Sequence, residues 1–387
     1  MLHKNIKKLY FSKVFHNLIF AYVIERLFWQ SRGMTAMMVV YTEIVYAAVI
    51  TIFEIPTGIL ADKLSKKKML LIADVLSVLE FVILIYAYNF QSFALAVSVA
   101  GISTCLRSGT ERALLYESLK ANKNQSLFEK YLGRLNAFDF AAAFAAALLG
   151  SFFANRVGLE INYYLSAVSL IIAMIITSTL EDVNYEKPGR LKANIIKKSI
   201  YTLKLKPILW LIVASFCFLS AVIVYADEFW QLYLDDLSIS VLYFGLYSIL
   251  ASLLRMPGSL IAYKLLKHIK HLTFILWLLV LMILFLLFSF IFSGYAGIIF
   301  LLLAFMLDGL VEPVIMGFLH HKIPSEIRAT MDSFLSLVMR FVNIPVGLGF
   351  GYFAAGISIQ AAFGYLSAVL FAYFLIYLVI YIRIRIN

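Results

Sequence analysis

Twelve runs of about twenty predominantly apolar residues, divided by short polar segments, fix most of what this chain can fold into. A helix of that length crosses a hydrocarbon layer of roughly 30 Å. The runs fall near residues 10–30, 35–57, 68–88, 91–117, 133–155, 160–180, 207–230, 238–262, 271–292, 294–319, 328–353 and 357–382. Hydrophobic residues make up 63% of the chain and charged ones 14%, where a soluble domain has roughly half and a quarter. No aqueous core hides that much apolar surface, so an all-α membrane protein of twelve transmembrane helices is expected.

The formal charge of +11 would suit nucleic acid only if it were gathered on a solvated face. Its distribution is that of a membrane protein instead. With the N-terminus placed in the cytoplasm, 26 of the 33 lysines and arginines fall in cytoplasmic segments, Arg32 and Arg156 fall outside, and five arginines remain within spans. That asymmetry satisfies the positive-inside rule and puts both termini in the cytoplasm. Lys4, Lys7 and Lys8 precede an apolar run too long for a signal-peptide core, so it is read as a retained first span in the cell membrane. Cys105 and Cys217 lie in apolar runs and suggest no disulfide framework.

The longest polar stretch, 181–206, separates a half at 1–180 from a half at 207–387. Within it Ile195, Ile196, Ile200 and Leu203 recur at helical spacing beside Lys192, Lys197, Lys198 and Lys204. This predicts an amphipathic helix lying on an anionic inner leaflet, with a plain solvated linker as the alternative.

Sliding the chain on itself by 201 positions exposes a repeat. Phe28-Trp29-Gln30 falls on Phe229-Trp230-Gln231, Glu54-x-Pro56 on Arg255-x-Pro257, and Ala61, Lys63 and Leu64 on Ala262, Lys264 and Leu265. The same offset pairs Arg26 with Asp227, Glu54 with Arg255, Arg107 with Asp308 and Glu111 with Glu312. Ionisable groups inside a bilayer cost at least about 2.5 to 3.5 kcal/mol each, so they are expected to face a partner or a wet cavity. Arg107 and Glu111 share a helix face at i, i+4, as do Asp308 and Glu312, with Gly109 and Gly309 giving room beside them. Arg340 precedes Pro345 and three glycines in the eleventh run and is a further cavity candidate, although packing accounts for the glycines themselves. Trp29, Tyr225 and Trp230 neighbour these charges and are placed at the cavity mouth. Glu25, Glu43, Asp74 and Glu80 carry no such pattern and are read as structural.

Several chemistries are missing. No Gly-x-x-x-x-Gly-Lys-Ser/Thr loop, Gly-x-Ser-x-Gly elbow or metal-spaced Cys/His cluster occurs. No enzyme, cofactor, bound metal or nucleic-acid partner is therefore expected.

Between the second and third runs stands Gly58-x-Leu60-Ala61-Asp62-Lys63-x-Ser65-Lys66-Lys67, preceded by Pro56, which with Gly58 is expected to end the second helix. The segment resembles the loop between the second and third helices of the major facilitator superfamily, with Ser65 where the family usually has glycine. The strings Glu-Ile-Pro-Thr-Gly at 54–58 and Ser-Gly-Thr-Glu-Arg-Ala-Leu-Leu-Tyr-Glu-Ser-Leu at 108–119 look like a prokaryotic branch of its permeases. The resemblance implies two six-helix halves, with the first and seventh helices and the fourth and tenth approaching across a central cavity. On that basis Arg26 is expected to close against Asp227 or Glu228 near the external face, and Arg107 to face Asp308. It also implies a cytoplasmic latch of Asp62, Lys66 and Glu117; the second-half copy has Tyr263 in place of the aspartate. Two family motifs are absent: Val97 stands where proton-coupled drug exporters carry arginine, and the fifth run is alanine-rich from Ala141 to Gly150.

The resulting expectation is a monomeric secondary transporter working by alternating access, driven by protons and exporting a small organic compound through a cavity of Arg26, Arg107, Glu111, Asp227, Asp308, Glu312 and Arg340. A fixed ion-pair network is the structural alternative for Arg107 with Asp308. At the level of function, the alternatives are an uptake permease for a metabolite or metal chelate, and a transport-inactive receptor or lipid-flipping protein. For the latch, Asp62→Asn is expected to move the resting population toward the inward-facing state without abolishing substrate binding. Cysteines placed in the cytoplasmic cavity report it, and equal accessibility in mutant and parent rules the latch out.

Overall fold

The computed structural model describes residues 2–61, 64–121, 124–182, 207–292, 294–323 and 328–386. Asp62 of the latch and the expected amphipathic helix at 192–204 lie outside the described residues. Among those described, helices are the only regular secondary structure, and ten are long and apolar enough to cross a membrane. They form two compact units, one of residues 1–189 with 240–246 and the other of 190–239 with 247–387.

In the first unit the helices are α1 (Leu2–Asn17), α2 (Glu25–Ser31), α3 (Ala36–Ala61), α4 (Lys66–Ile85), α5 (Phe90–Arg107), α6 (Thr110–Ala121), α7 (Phe128–Arg156) and α8 (Glu160–Ser178). They cover the first six apolar runs, but the first and fourth runs are each divided in two. The first breaks between Asn17 and Glu25, where only a short 3-10 turn at Tyr22–Ile24 intervenes. Backbone groups freed in an apolar layer need new partners, and α8 supplies them. The Ala21 N–H donates to Ser166 Oγ at 3.1 Å, and Ser169 Oγ donates to the Phe15 carbonyl at 2.6 Å. The fourth run breaks at Gly109, whose φ of +73° is a conformation that other residues rarely adopt. Arg107 and Glu111 therefore do not share one continuous helix, and nothing packs within 4 Å of where a Gly109 side chain would start. The expected role of Gly109 as a close-packing residue is corrected to that of a helix breaker. Across the break Thr110 Oγ1 donates to the Leu106 carbonyl at 2.8 Å.

Pro56 does not end the second span; α3 runs through it to Ala61. Just past the proline, Thr57 Oγ1 donates back to Phe53 O at 2.7 Å and to Glu54 O at 3.2 Å, a bonding of hydroxyl to the preceding turn that accompanies bends in helices.

The second unit holds α9 (Pro207–Asp236), α10 (Phe244–Leu265), whose first residues belong with the first unit, α11 (His271–Ile291), α12 (Tyr295–Lys322), α13 (Arg328–Gly356) and α14 (Ile359–Ile386). The aromatic pair of the repeated Phe-Trp-Gln motif is core in both units: Phe28, Trp29, Phe229 and Trp230 are buried. Trp29 Nε1 donates to Tyr163 Oη at 3.0 Å. Tyr225 is buried as well, its hydroxyl donating to the Asn343 carbonyl at 2.9 Å and its ring occupying the space a Gly347 side chain would need. The cavity-mouth placement of Trp29, Tyr225 and Trp230 is corrected accordingly, because large rings beside charged residues gain most by packing under them.

A Cβ on Gly309 would meet the Arg255 carbonyl, and one on Gly258 would lie 2.9 Å from the Gly309 backbone. These two glycines set how closely α10 crosses α12. Gly309→Val is expected to force that crossing apart and destabilise the protein by about 1 to 3 kcal/mol. Thermal unfolding in detergent measures this, with Gly317→Ala, where nothing lies within 4 Å, as the neutral control.

Candidate functional site

Both breaks in the first unit bring polar or charged residues to helix ends. His16 is in the last turn of α1, Arg107 in the last turn of α5, and Glu111 in the first turn of α6. Cations at a helix C-terminus and anions at an N-terminus are favoured by the helix dipole, so α5 and α6 stabilise the charges of Arg107 and Glu111, while His16 is a cation only when protonated. Between them stands Asp74 of α4, fully buried. Small hydroxyls bring α4 and α5 together beside it: Ser103 Oγ donates to the Ala73 carbonyl at 2.8 Å and lies 2.9 Å from Ser77 Oγ.

The result is a chain of ion pairs. Arg107 Nη2 contacts Asp74 Oδ1, and His16 Nδ1 approaches the same oxygen at 3.4 Å. Arg107 Nη1 reaches Glu111 Oε1 at 3.4 Å, and the other Glu111 oxygen takes Lys13 Nζ at 3.0 Å. Lys13 is also 3.8 Å from Asp139 Oδ2 on α7. Five elements thus contribute to one run of alternating charge, which offers a proton several carboxylates and a histidine within short steps.

Arg26, the other expected cavity arginine of this unit, is buried with Nη2 2.7 Å from Glu43 Oε1 and Nη1 4.0 Å from Glu25 Oε2. Its guanidinium lies over the Trp29 ring at 4.6 Å. In the second unit Arg255 gathers the acids. Its Nη2 is 2.9 Å from Asp227 Oδ1, its Nε is 3.2 Å from Asp308 Oδ2, and its guanidinium lies 4.5 Å from the centre of the Phe305 ring. Glu312 follows Asp308 one turn along α12 and is exposed, while Arg340 on α13 is half-buried.

Arg26 and Arg107 find acids in the first unit, and Asp227 and Asp308 share Arg255 in the second. A deeply buried charge is costly without a counter-ion, and here helices of its own unit supply one. Asp74 and Glu43, read from the sequence as structural, are the direct partners of the two arginines. His16, Lys13 and Asp139 were missed; the spacing of Lys13 and His16 one turn apart was the available signal. Of the latch residues, Lys66 is buried at the start of α4, within electrostatic reach of Glu117 on α6.

One position stands apart. Glu54, the repeat partner of Arg255, is exposed on α3 inside an apolar run. The three positions that meet in the second unit, 227, 255 and 308, have counterparts at 26, 54 and 107 with every sign reversed.

Comparison with known proteins supplies the family. No curated protein sequence matches significantly. Among solved structures, a mutant form of the nucleoside transporter NupG superposes with a TM-score of 0.80 at 16% identity, covering 98% of this chain and 99% of that one. A bacterial homologue of the iron transporter ferroportin, in an inward-facing state, gives 0.73 at 15% identity with 99% of each chain covered. The peptide transporter POT, in a mutant form bound to sulfate, gives 0.73 at 15% identity, covering 98% of this chain and 95% of that one. At such identities the likeness establishes the fold alone. The Major Facilitator Superfamily model matches residues 10–347, and with that match over most of its length this multi-pass membrane chain belongs to the major facilitator superfamily of transporters.

Proposed function

We propose that the chain is a proton-coupled secondary transporter exporting a small organic compound from the cell, acting as a monomer in the cell membrane with both termini in the cytoplasm. Its halves are residues 1–180 and 207–387, joined by the linker 181–206. The observation that carries the reading is the ion-pair run from Asp139 through Lys13, Glu111, Arg107 and Asp74 to His16, built where two helices are broken. Discontinuous helices inside a membrane bundle serve transporters as binding sites for charged groups. A buried network of this size is a poor stabiliser compared with apolar packing; a coupling role explains its presence.

Coupling follows from competition. A proton taken up by Glu111 or Asp74 releases Lys13 or Arg107 from its counter-ion, and a polar or charged substrate group can take the vacated partner. Arg26, Asp227, Asp308, Glu312 and Arg340 complete the cavity in this proposal, with Asp62, Lys66 and Glu117 as its cytoplasmic latch. Glu54 joins them as the exposed acid that the repeat sets against Arg255.

Purified protein in liposomes under an imposed pH gradient tests the reading, after thermal-shift screening has found a ligand. Outward substrate flux moving with the gradient is expected; inward flux makes the protein an uptake permease, and ligand binding without flux makes it a receptor. Glu111→Gln keeps the side chain's shape but carries no proton. It is expected to retain ligand binding while flux loses its dependence on the gradient; gradient-driven flux equal to the parent's removes Glu111 from the coupling path. Asp308→Asn leaves Arg255 its bond to Asp227 and is expected to lower transport by about tenfold, the loss of roughly one charge-assisted hydrogen bond. Unchanged transport with a lower unfolding temperature would mean that Asp308 is structural.

A further inference from the structure

We propose that a basic groove in the second unit, between the starts of α11 and the ends of α12 and α14, binds the headgroup of an anionic phospholipid. The groove holds about 440 Å³ and is lined by Lys270, His271, Thr273, Phe318, Tyr381 and Ile384 among others. The positive-inside distribution puts these helix ends at the cytoplasmic leaflet, where acidic lipids lie.

The lining has two characters. One side is cationic. Lys270 is exposed, and His321 and Lys322 stand within electrostatic reach of His271. Lys322 Nζ is 5.6 Å from the centre of the Phe318 ring, which forms the groove's floor with His271, stacked on it at 4.5 Å. The first-turn N–H groups of α11 add to the positive field, since Lys270 at its N-cap makes no side-chain cap. None of the described lining residues is acidic, and Asp332 is engaged by His320 at 2.8 Å. The other side is apolar, with Leu272 and the exposed Ile384. Thr273 Oγ1 and Tyr381 Oη, 2.9 Å apart, mark the boundary between the two and offer hydroxyls to a glycerol or phosphate oxygen.

A phosphodiester with an acyl chain attached matches that division. A soluble anion would use only the cationic side, and a zwitterionic lipid would set its own ammonium against Lys270 and Lys322. Each basic residue near an acidic membrane surface contributes a factor of about five in affinity, so two of them give a preference of about 30-fold.

The full-length protein is purified in detergent micelles containing phosphatidylglycerol or phosphatidylcholine of the same acyl chains. Native mass spectrometry counts retained lipid and thermal unfolding reports stabilisation. The parent is expected to retain phosphatidylglycerol with the stated preference and to be stabilised by it. Lys270→Gln with Lys322→Gln should lose both effects, while Lys270→Arg with Lys322→Arg keeps them. Should the glutamine variant fail to fold, Ile384→Glu, at an exposed position, repels the same headgroup and is expected to lose the preference alone. Equal retention of the two lipids by the parent, or a parent-like preference in the glutamine or Ile384→Glu variant, overturns the proposal. Stabilisation by inorganic phosphate equal to that by phosphatidylglycerol overturns it in favour of a free-anion site.

Discussion

A guanidinium inside a membrane bundle needs a carboxylate beside it, and the contact of Arg107 with Asp74 is where the first unit meets that need. Asp74 is fully buried, and without Arg107 its charge would stand in an apolar layer. The surrounding features hold this contact in place: the hydroxyl-lined approach of α4 to α5, the break at Gly109 that ends α5 on a cation, and the end of α1 that brings His16 to the same carboxylate. Glu111 then bridges Arg107 to Lys13, so a single pair grows into a network spanning five elements.

The second unit solves the same problem with the signs exchanged. There one arginine, Arg255, holds two acids, and the close crossing at Gly258 and Gly309 delivers it to Asp308. The two halves are thus alike in backbone repeat and opposite in charge.

Helix breaks tie the network to the backbone. An interruption in hydrocarbon is tolerable only when neighbouring side chains bond the freed groups, and Ser166 and Ser169 of α8 do so for the first span. Through these bonds α8 stabilises the interruption that ends α1 near His16, and Thr177 on the same helix lies against Ser12 of α1 at 2.7 Å.

The sequence by itself determined the twelve apolar runs, the half repeat and the family, because each rests on composition, spacing or motif along the chain. Gly109 was legible as a small residue but not as a break, since glycine fits a helix interior as well as the positive φ it takes here. Tertiary structure alone decided the rest. Nothing in Leu18 to Ile24 signals an interruption, because its cause lies on α8, some 145 residues away. Nor does any spacing join Arg107 to Asp74, 33 positions apart; an ion pair between helices depends on which faces pack together. The acids that stand beside each arginine within its own half, Asp74 at Arg107 and Asp227 and Asp308 at Arg255, likewise depend on how those helices pack and not on any spacing along the chain.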